Sequence, residues 1–324
     1  MAYTNKDIIK QTLDEISKEA HWKERYAGYA KDLLKNVDHY KEMSRKVNVR
    51  FPLSAYTTIT KLKKSKYECE YDIRYLGYSI GSLFIGQDSR RFKHNGYEDL
   101  IKKYSSIPRL QEVEDWGGTR MSDFRKFLSH INMEEANTFS PEHKCENLLL
   151  REFHKGDSKN KSLKNIQPIT FGGKFVQLTT ILKASKKDEV SYSKIGGGID
   201  ILARARHNDN KVYLTVFELK DQNKSSEPMS VVIQQALSYA VFVAQLLDSP
   251  SGSDWLKIFG FNGRHPKVID VVGLIPKGKE TIIEEEYDVG NYKLRTHSLY
   301  YDKDALLSRK QFSFSGSFSQ QLLQ

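Results

Sequence analysis

The amino-acid sequence predicts an α/β protein built from two domains and a C-terminal extension. The chain has 324 residues, about twice the ~150 residues of an average domain. Residues 1–135 combine helical periodicity with β alternation, whereas residues 136–280 follow the order helix, three strands, helix, strand. That order predicts a mixed sheet covered by helices. Residues 281–324 form the extension, and the polar segment 132–141 separates the two domains.

The N-terminal region predicts an α+β arrangement that begins with two helices and continues into strands. The expected elements are a helix containing Ile8, Ile9, Leu13 and Ile16, a second helix at 21–47, two or three antiparallel strands within 55–85, and short helices at 97–104 and 121–131. We assign residues 1–135 to substrate recognition or dimerisation.

The second domain follows a tighter pattern of alternating elements. The expected elements are a helix at 141–154, strands at 175–182, 199–206 and 212–219, a long helix at 228–247, and a buried strand at 268–275. The turn-forming tetrad 207–210 joins the second and third strands into a hairpin.

The charge balance is compatible with a polyanionic partner. The chain carries 51 Lys+Arg against 41 Asp+Glu, a net charge of +10, with a pI near 9.2. Basic side chains that neutralise phosphates release counterions, which favours nucleic-acid binding. Charge alone does not require such a partner. The basic clusters 61–64 and 90–93 fit phosphate contacts and a solvated face equally well.

Cysteine usage and hydropathy exclude several protein classes. Two cysteines, Cys69 and Cys145, are too few for a disulfide framework or a four-thiolate zinc site. The longest apolar run, 239–247, is far shorter than the ~20 residues that cross a bilayer. The first residues lack the apolar core of a secretory signal. The sequence therefore predicts a reduced cytoplasmic protein with no membrane partner.

Three charged residues lie at one end of the predicted hairpin. Asp200 opens the first strand, and Glu218 and Lys220 close the second. Because side chains alternate along a strand, Glu218 and Lys220 share a face while Leu219 points into the packing. Pairing of the two strands brings Asp200 within a metal ion's reach of Glu218.

This arrangement suits phosphodiester hydrolysis. The carboxylates of Asp200 and Glu218 and the backbone carbonyl of Leu219 form an all-oxygen site for Mg²⁺ or Mn²⁺. Lys220 places an ammonium beside the site, where it can position an attacking water and neutralise developing phosphate charge. The competing interpretation is a surface ion pair worth about 0.2–1 kcal/mol.

The combination of Asp200 with the triplet 218–220 on the adjoining strand resembles the PD-(D/E)XK nuclease superfamily. The resemblance covers residues 141–276. It implies a restriction-endonuclease-like core in which the two carboxylates bind the metal and the lysine is catalytic. The sequence departs from the family pattern at Ile199, where many members have proline.

A second motif supports this resemblance. Gln235 and Tyr239 on the long helix are similar to the Gln-x-x-x-Tyr motif of the recombination-nuclease branch, which implies that they face the active site or the substrate backbone. They share an apolar stripe with Val231, Phe242 and Leu246. A Gln in such a stripe must find hydrogen-bond partners or pay roughly 1–3 kcal/mol.

The first helix of this family's core often supplies one more acid. Glu146 fits because it shares a helix face with Leu149, Leu150 and Phe153. Glu152 is the competing candidate on the same helix. We favour Glu146.

Two further features have structural interpretations. Gly196–Gly198 lacks the context of a phosphate-binding loop, so we interpret it as a flexible strand entry, with close approach to DNA as the alternative. His207 lies in the hairpin turn, where we expect it to be solvated.

The sequence as a whole predicts a metal-dependent nuclease, and the family resemblance alone implies a Mg²⁺-dependent, restriction-endonuclease-like enzyme acting on DNA, with endonuclease and exonuclease modes both open. RNA is the alternative substrate, and a homodimer is compatible with the reading. Two other functions compete with it. One is a non-catalytic nucleic-acid-binding module that retains the fold, and the other is a structural or interaction protein in which the charged hairpin is incidental.

Overall fold

The computed structural model describes most of the chain. The described residues are 3–57, 59, 68–95, 97–131, 140–155, 165–184, 190–193, 196–221, 227–263, 265–310 and 313–323. The predicted boundary segment and the basic cluster 61–64 fall largely or wholly outside them.

The described residues form helices and strands throughout the chain. The helices are α1 (Asn5–Ser17), α2 (Trp22–Ser44), α3 (Tyr97–Lys103), α4 (Thr119–His130), α5 (Pro141–Lys155), α6 (Met229–Leu247), α7 (Gly252–Ile258), α8 (Lys303–Leu307) and α9 (Ser317–Gln321). The strands are β1 (Leu53–Thr57), β2 (Cys69–Tyr75), β3 (Tyr78–Ile85), β4 (Arg90–His94), β5 (Val113–Asp115), β6 (Ile166–Pro168), β7 (Thr170–Phe171), β8 (Lys174–Val176), β9 (Leu182–Ala184), β10 (Val190–Tyr192), β11 (Ile201–Arg206), β12 (Val212–Leu219), β13 (Val268–Pro276), β14 (Glu284–Val289), β15 (Tyr292–Tyr301) and β16 (Phe314–Ser315).

The chain divides into two compact units, each assembled from more than one segment. Unit 1 consists of Met1–Lys31, Leu149–Ile169 and Gln177–Gln324, and unit 2 consists of Asp32–Leu148 and Thr170–Val176. The region predicted as the second domain thus lies mostly in unit 1, together with the N-terminal helix and the C-terminal extension.

Unit 1 is built on a mixed sheet with the strand order β14-β15-β13-β12-β11-β6, and β16 pairs with the far side of β15. Strands β12, β13 and β15 run parallel to one another, whereas β6, β11, β14 and β16 pair antiparallel. Helix α6 packs on the central strands, and α1 packs on α6. The protein is therefore a mixed α/β protein, as predicted.

Helix α6 is the central core helix of unit 1. Pro228 stands at its N-cap, where the missing N–H costs nothing, and the helix ends at Asp248. Among the described helices it is the one long and apolar enough to cross a membrane, but 78% of its apolar window is buried inside the protein. That burial is typical of a core helix in a soluble protein.

Unit 2 contains a seven-stranded sheet of order β5-β4-β3-β2-β1-β8-β7. All its pairs are antiparallel except that of β1 with β8. The β2–β3 hairpin turns through Leu76 and Gly77, both with positive φ. A side chain at Gly77 would begin 2.3 Å from the carbonyl oxygen of His143, so only glycine fits there.

The prediction of one continuous strand at 175–182 is wrong. Strand β8 ends at Val176 and pairs with β1 in unit 2, whereas β9 begins at Leu182 and pairs with β10 in unit 1. The chain passes from one unit to the other at Gln177, so one continuous strand cannot form. The strand that pairs with the far side of β11 is β6.

Candidate active site

The β11–β12 hairpin brings the first two predicted ligands together. Its register pairs Ile201 with Phe217, and one step further along the same register Asp200 stands opposite Glu218. The carboxylate of Asp200 accepts a hydrogen bond of 2.8 Å from the backbone N–H of Leu219. Directly opposed side chains share a sheet face. Both carboxylates therefore lie at the same end and on the same face of the hairpin.

A short backbone ladder positions Asp200. Gly197 accepts a bond of 2.8 Å from the amide of Thr180 and donates one of 2.6 Å to the carbonyl of Leu182, and Ile199 donates to Leu178 over 3.0 Å. The ladder fixes the residues immediately before Asp200. Gly196–Gly198 thus acts as a strand entry, held by the protein's own backbone.

Glu218 and Lys220 form a buried ion pair. The Nζ atom of Lys220 lies 2.7 Å from Oε1 of Glu218, and the two residues are 8% and 6% exposed. The interpretation of this triplet as a surface ion pair is therefore wrong, because both side chains are buried. A buried charge needs an opposite charge or hydrogen bonds to compensate for its lost hydration.

The backbone of Lys220 is held on both sides. Its N–H donates to the carbonyl of Leu274 over 2.9 Å, and its carbonyl accepts a bond of 3.1 Å from the hydroxyl of Tyr301. The lysine therefore starts from a fixed point at the end of β12, which limits the positions its ammonium can occupy.

Tyr239 of α6 lies beside this cluster. A methyl group added at Gly197 would lie 2.6 Å from the Tyr239 hydroxyl, so the glycine makes room for the phenol. Burial raises the pKa of Tyr239 well above its ordinary value, and the charges of Glu218 and Asp200 raise it further. The phenol is thus neutral near pH 7 and keeps its proton available for hydrogen bonding.

Gln235 lies one helical turn before Tyr239 and is 5% exposed. Its Nε2 atom is buried and has no hydrogen-bond partner among the residues that the structure describes. A buried amide without a partner costs about 1–3 kcal/mol. Packing alone gives no reason for a Gln at this position.

A glycine on the neighbouring strand lets α6 approach the sheet here. Gly273 of β13 pairs with Glu218 of β12, and a side chain at Gly273 would begin 2.7 Å from Sδ of Met229 and 2.9 Å from Ile233. Paired residues on neighbouring strands face the same side. The carboxylate of Glu218 therefore lies on the sheet face that α6 covers.

The additional acid of the predicted site belongs to unit 2. Glu146 is 2% exposed, and the groups that feel its charge include Tyr56 and Arg74 of the same unit. Glu152, the competing candidate, belongs to unit 1. The assignment of Glu146 to the catalytic set stays a prediction.

The donor set at the hairpin end suits a hard divalent cation. Asp200 and Glu218 supply carboxylate oxygens from one sheet face, and the main chain of Leu219 runs between them. Such oxygens are the ligands that Mg²⁺ and Mn²⁺ prefer. Within the described part of the chain, His, Cys, Asp and Glu side chains form no metal-binding group of three or more, so the site rests on two side-chain ligands.

A second buried charge cluster lies elsewhere in unit 1 and was not predicted. Asp270 of β13 is fully buried and is contacted by Arg295 at 2.8 Å, by His207 at 2.9 Å and by His297 at 3.3 Å. We call these four residues the Asp270 cluster. His207 is 3% exposed, so the expectation that it is solvated is wrong.

The C-terminal segment covers the Asp270 cluster. The ring of Phe318 packs against both His207 and His297, with centroid distances of 5.7 and 5.4 Å. Leu322 forms a backbone bridge to His207. One sequence feature could have indicated this cluster, a single aspartate within an apolar strand.

Comparison with other proteins leaves the site to be judged on its own geometry. No protein-family model, no curated protein and no solved structure matches the chain.

Proposed function

We propose that this protein is a metal-dependent nuclease that hydrolyses phosphodiester bonds of DNA, built on a restriction-endonuclease-like PD-(D/E)XK core. One observation carries the proposal. Asp200, Glu218 and Lys220 converge at one end of the hairpin, and Tyr239 from α6 lies beside them. Two carboxylates, an ammonium and a neutral phenol are the groups that phosphodiester hydrolysis uses.

The order of elements from α5 to β13 supports the same assignment. In chain order, α5, β6, β11, β12, α6 and β13 run as helix, three strands, helix and strand, a series that leaves out the short strands β7 to β10 and helix α7. The three strands pair antiparallel, and β13 joins β12 in parallel. Asp200 stands before the second strand of the series and Glu218 near the end of the third, as the family pattern requires.

Each side chain has a defined task in this proposal. Asp200, Glu218 and the carbonyl of Leu219 would hold Mg²⁺ or Mn²⁺, and the ion would supply positive charge to polarise the phosphate and activate water. Lys220 orients the attacking water and balances charge that develops on the phosphate oxygens. Tyr239 donates a hydrogen bond within the site. One water is consumed, and the products are a phosphomonoester and a hydroxyl.

The remaining assignments have other grounds. The family resemblance alone favours DNA over RNA and internal cleavage, and the cysteine usage favours the cytoplasm. Gln235 faces the substrate backbone, which gives its unpartnered amide a ligand.

One observation favours a second function, that of a non-catalytic nucleic-acid-binding module. Lys220 already contacts Oε1 of Glu218 at 2.7 Å, so one carboxylate oxygen of the predicted metal site is engaged in an ion pair. A module of this kind would bind DNA with or without Mg²⁺ and would not cleave it.

The Asp200→Asn variant tests the proposal. Asparagine keeps the shape but removes the negative charge that a divalent ion needs, so we expect Mg²⁺-dependent cleavage of plasmid and linear DNA to be abolished. The matched control is Asp254→Asn, an exposed aspartate of α7 that pairs with Lys257. We expect the control to cleave at the wild-type rate. Full activity in Asp200→Asn, or no cleavage by the wild type with either Mg²⁺ or Mn²⁺, would refute the nuclease assignment.

A further inference from the structure

Helix α4 of unit 2 has one apolar face and one face of hydrogen-bonding and basic groups. Met121, Phe124 and Leu128 are buried. On another face, Ser122, Arg125, Lys126 and Ser129 follow the spacing i, i+3, i+4, i+7, which places their side chains side by side.

This polar face forms one wall of a cleft. The segment leading into β1 forms the other wall with Asn48 and Arg50, and the buried side chain of Leu53 forms the floor. The cleft encloses about 280 Å³. All of its lining residues belong to unit 2.

The charges in the cleft are of one sign. Arg50, Arg125 and Lys126 contribute three cations, and none of the described residues that line the cleft is acidic. The nearest ion pair is a long one, with Lys126 at 4.0 Å from Asp123 and both side chains mostly exposed. Within the described part of the chain, no carboxylate lies within ion-pair distance of Arg50 or Arg125.

Arg125 is held in place by the protein. Its guanidinium donates a 2.6 Å hydrogen bond to the carbonyl of Trp116 and lies 4.7 Å from the centre of the indole ring. Burial lowers the pKa of Arg125 and nearby Arg90 lowers it further, whereas Asp115 raises it. An anion in the cleft would add negative charge beside the partly desolvated guanidinium.

The lining selects a phosphate group over other ligands. Arginine, lysine, serine and asparagine are the side chains that contact phosphate oxygens in nucleic-acid complexes. No aromatic ring is present among the described lining residues, and Trp116 is only 2% exposed, so the cleft offers no surface on which a base could stack. Its volume lies just below the ~300–1,000 Å³ of small-molecule pockets.

We infer that the cleft between α4 and the 48–53 segment binds the phosphate backbone of a nucleic acid without reading its sequence. The choice of nucleic acid among polyanions rests on the proposed function, whereas the preference for phosphate rests on the cleft itself. The cleft shares no residue with the set assigned to cleavage, and it gives unit 2 a substrate-anchoring role.

The test measures DNA binding by the full chain in EDTA, where metal-dependent cleavage is suppressed. Fluorescence anisotropy with a labelled DNA duplex is recorded over a salt series for the wild type and for the Arg50→Gln/Lys126→Gln variant. Each lost phosphate contact lowers the salt slope by about 0.9. We therefore expect the variant's slope to fall by about 2 and its Kd at 0.1 M salt to rise by at least about tenfold.

A charge-matched control distinguishes the loss of a specific binding site from the loss of net positive charge. Lys41→Gln/Lys102→Gln removes two exposed lysines of unit 2 that each pair with an aspartate three residues earlier, as Lys126 does. We expect near wild-type binding from this control and unchanged melting temperatures for both variants. An equal loss of binding in the control, or no loss in the cleft variant, would overturn the inference.

Two further arms separate other outcomes. If inorganic phosphate raises the melting temperature of the wild type but not of the cleft variant, while both bind DNA equally, the cleft takes a small anion and the inference fails. If the cleft variant loses binding but the wild type never cleaves DNA with Mg²⁺, the cleft stands and the nuclease proposal falls. If the wild type cleaves DNA but the cleft variant binds DNA normally, the nuclease proposal stands and the inference about the cleft falls.

Discussion

The β11–β12 hairpin carries two groups of ionisable residues, one at each end and on opposite faces of the sheet. At one end, Asp200 and Glu218 face α6. At the other, His207 faces the side that Phe318 covers, where it contacts Asp270. Each group contains a buried carboxylate and a cation, Glu218 with Lys220 at one end and Asp270 with Arg295 at the other. They differ in how completely their carboxylates are removed from solvent.

The Asp270 cluster is closed. Arg295 and two histidines surround a carboxylate that is fully buried, and Phe318 covers both imidazoles. Burial alone would raise the pKa of Asp270, but hydrogen bonds from His207 and His297 outweigh it and hold the pKa well below the ordinary range. This is the pattern of a cluster whose charge stabilises the fold.

The hairpin end with Asp200 has the opposite character. Asp200 is only half-buried, and Gln235 nearby has a buried amide nitrogen with no partner in the described part of the chain. Buried polar atoms without a hydrogen bond occur at both ends, since Oδ2 of Asp270 and ring nitrogens of His207 and His297 also lack one among the described residues. The comparison teaches that charge and unsatisfied polar atoms do not distinguish a structural cluster from a functional one, whereas exposure of a carboxylate to solvent, which lets a ligand reach it, does.

The largest expected effect on stability comes from Asp270→Asn. The substitution leaves Arg295 and the histidines without their buried counter-charge, and breaking a buried pair costs about 3–5 kcal/mol. We expect urea denaturation at pH 7 to show this loss, while the folded fraction cleaves DNA at the wild-type rate. A stable Asp270→Asn protein that has lost cleavage would reverse the roles of the two clusters.

Acid pH provides the control for that variant. The folded-state pKa of Asp270 is lowered from an ordinary value of 3.8, so its stabilisation is fully present above about pH 4 and is lost as the pH falls toward the folded-state value. We expect the difference in unfolding free energy between wild type and Asp270→Asn, measured by urea denaturation, to shrink as the pH falls below about 4.

The next effect is on turnover, through Lys220→Gln. Glutamine keeps a hydrogen-bond donor beside Glu218 but removes the ammonium, so we expect the cleavage rate to fall by about 10²–10³-fold, the scale of one preorganised electrostatic contact. Binding measured in EDTA should change little. A fall in binding as steep as the fall in turnover would make Lys220 a phosphate anchor.

The smallest effect is expected from Gln235→Leu. Leucine removes the unpartnered amide and keeps a similar volume, so stability should be held or raised by up to about 1–2 kcal/mol. Cleavage should drop if the amide contacts the substrate. Thermal melting and nuclease activity are measured on the same variant. Unchanged cleavage with a higher melting temperature would show that Gln235 is only a core residue.

The part of the site that lies on one hairpin was predictable because a hairpin is local. The short turn at 207–210 fixes the register, and the register fixes which residues oppose Asp200. The long helix was equally clear, since Pro228 and a continuous apolar pattern define its start and extent.

The parts that failed depend on pairing between distant segments. Nothing local in 175–182 shows that its two ends belong to different sheets, which is decided by the partners β1 and β10. The position of Asp270 in an apolar strand indicates a buried charge, but its partners come from β15 and from the hairpin turn. A sequence does not show which strands will be neighbours.

The division of unit 1 into three segments has a consequence for the order of folding. Its contacts span long stretches of chain, for example the 179 positions between Gln11 and Val190, whose closure costs about 4–5 kcal/mol of entropy by the logarithmic loop rule. Unit 2 is mostly a meander of adjacent hairpins, where each closure is far smaller. We expect pulse-labelled hydrogen exchange to protect the amides of β2 and β3 before those of β13, and simultaneous protection would contradict this. The proposed nuclease site would then form only as the last step of folding, after the proposed phosphate-binding cleft of unit 2 already exists.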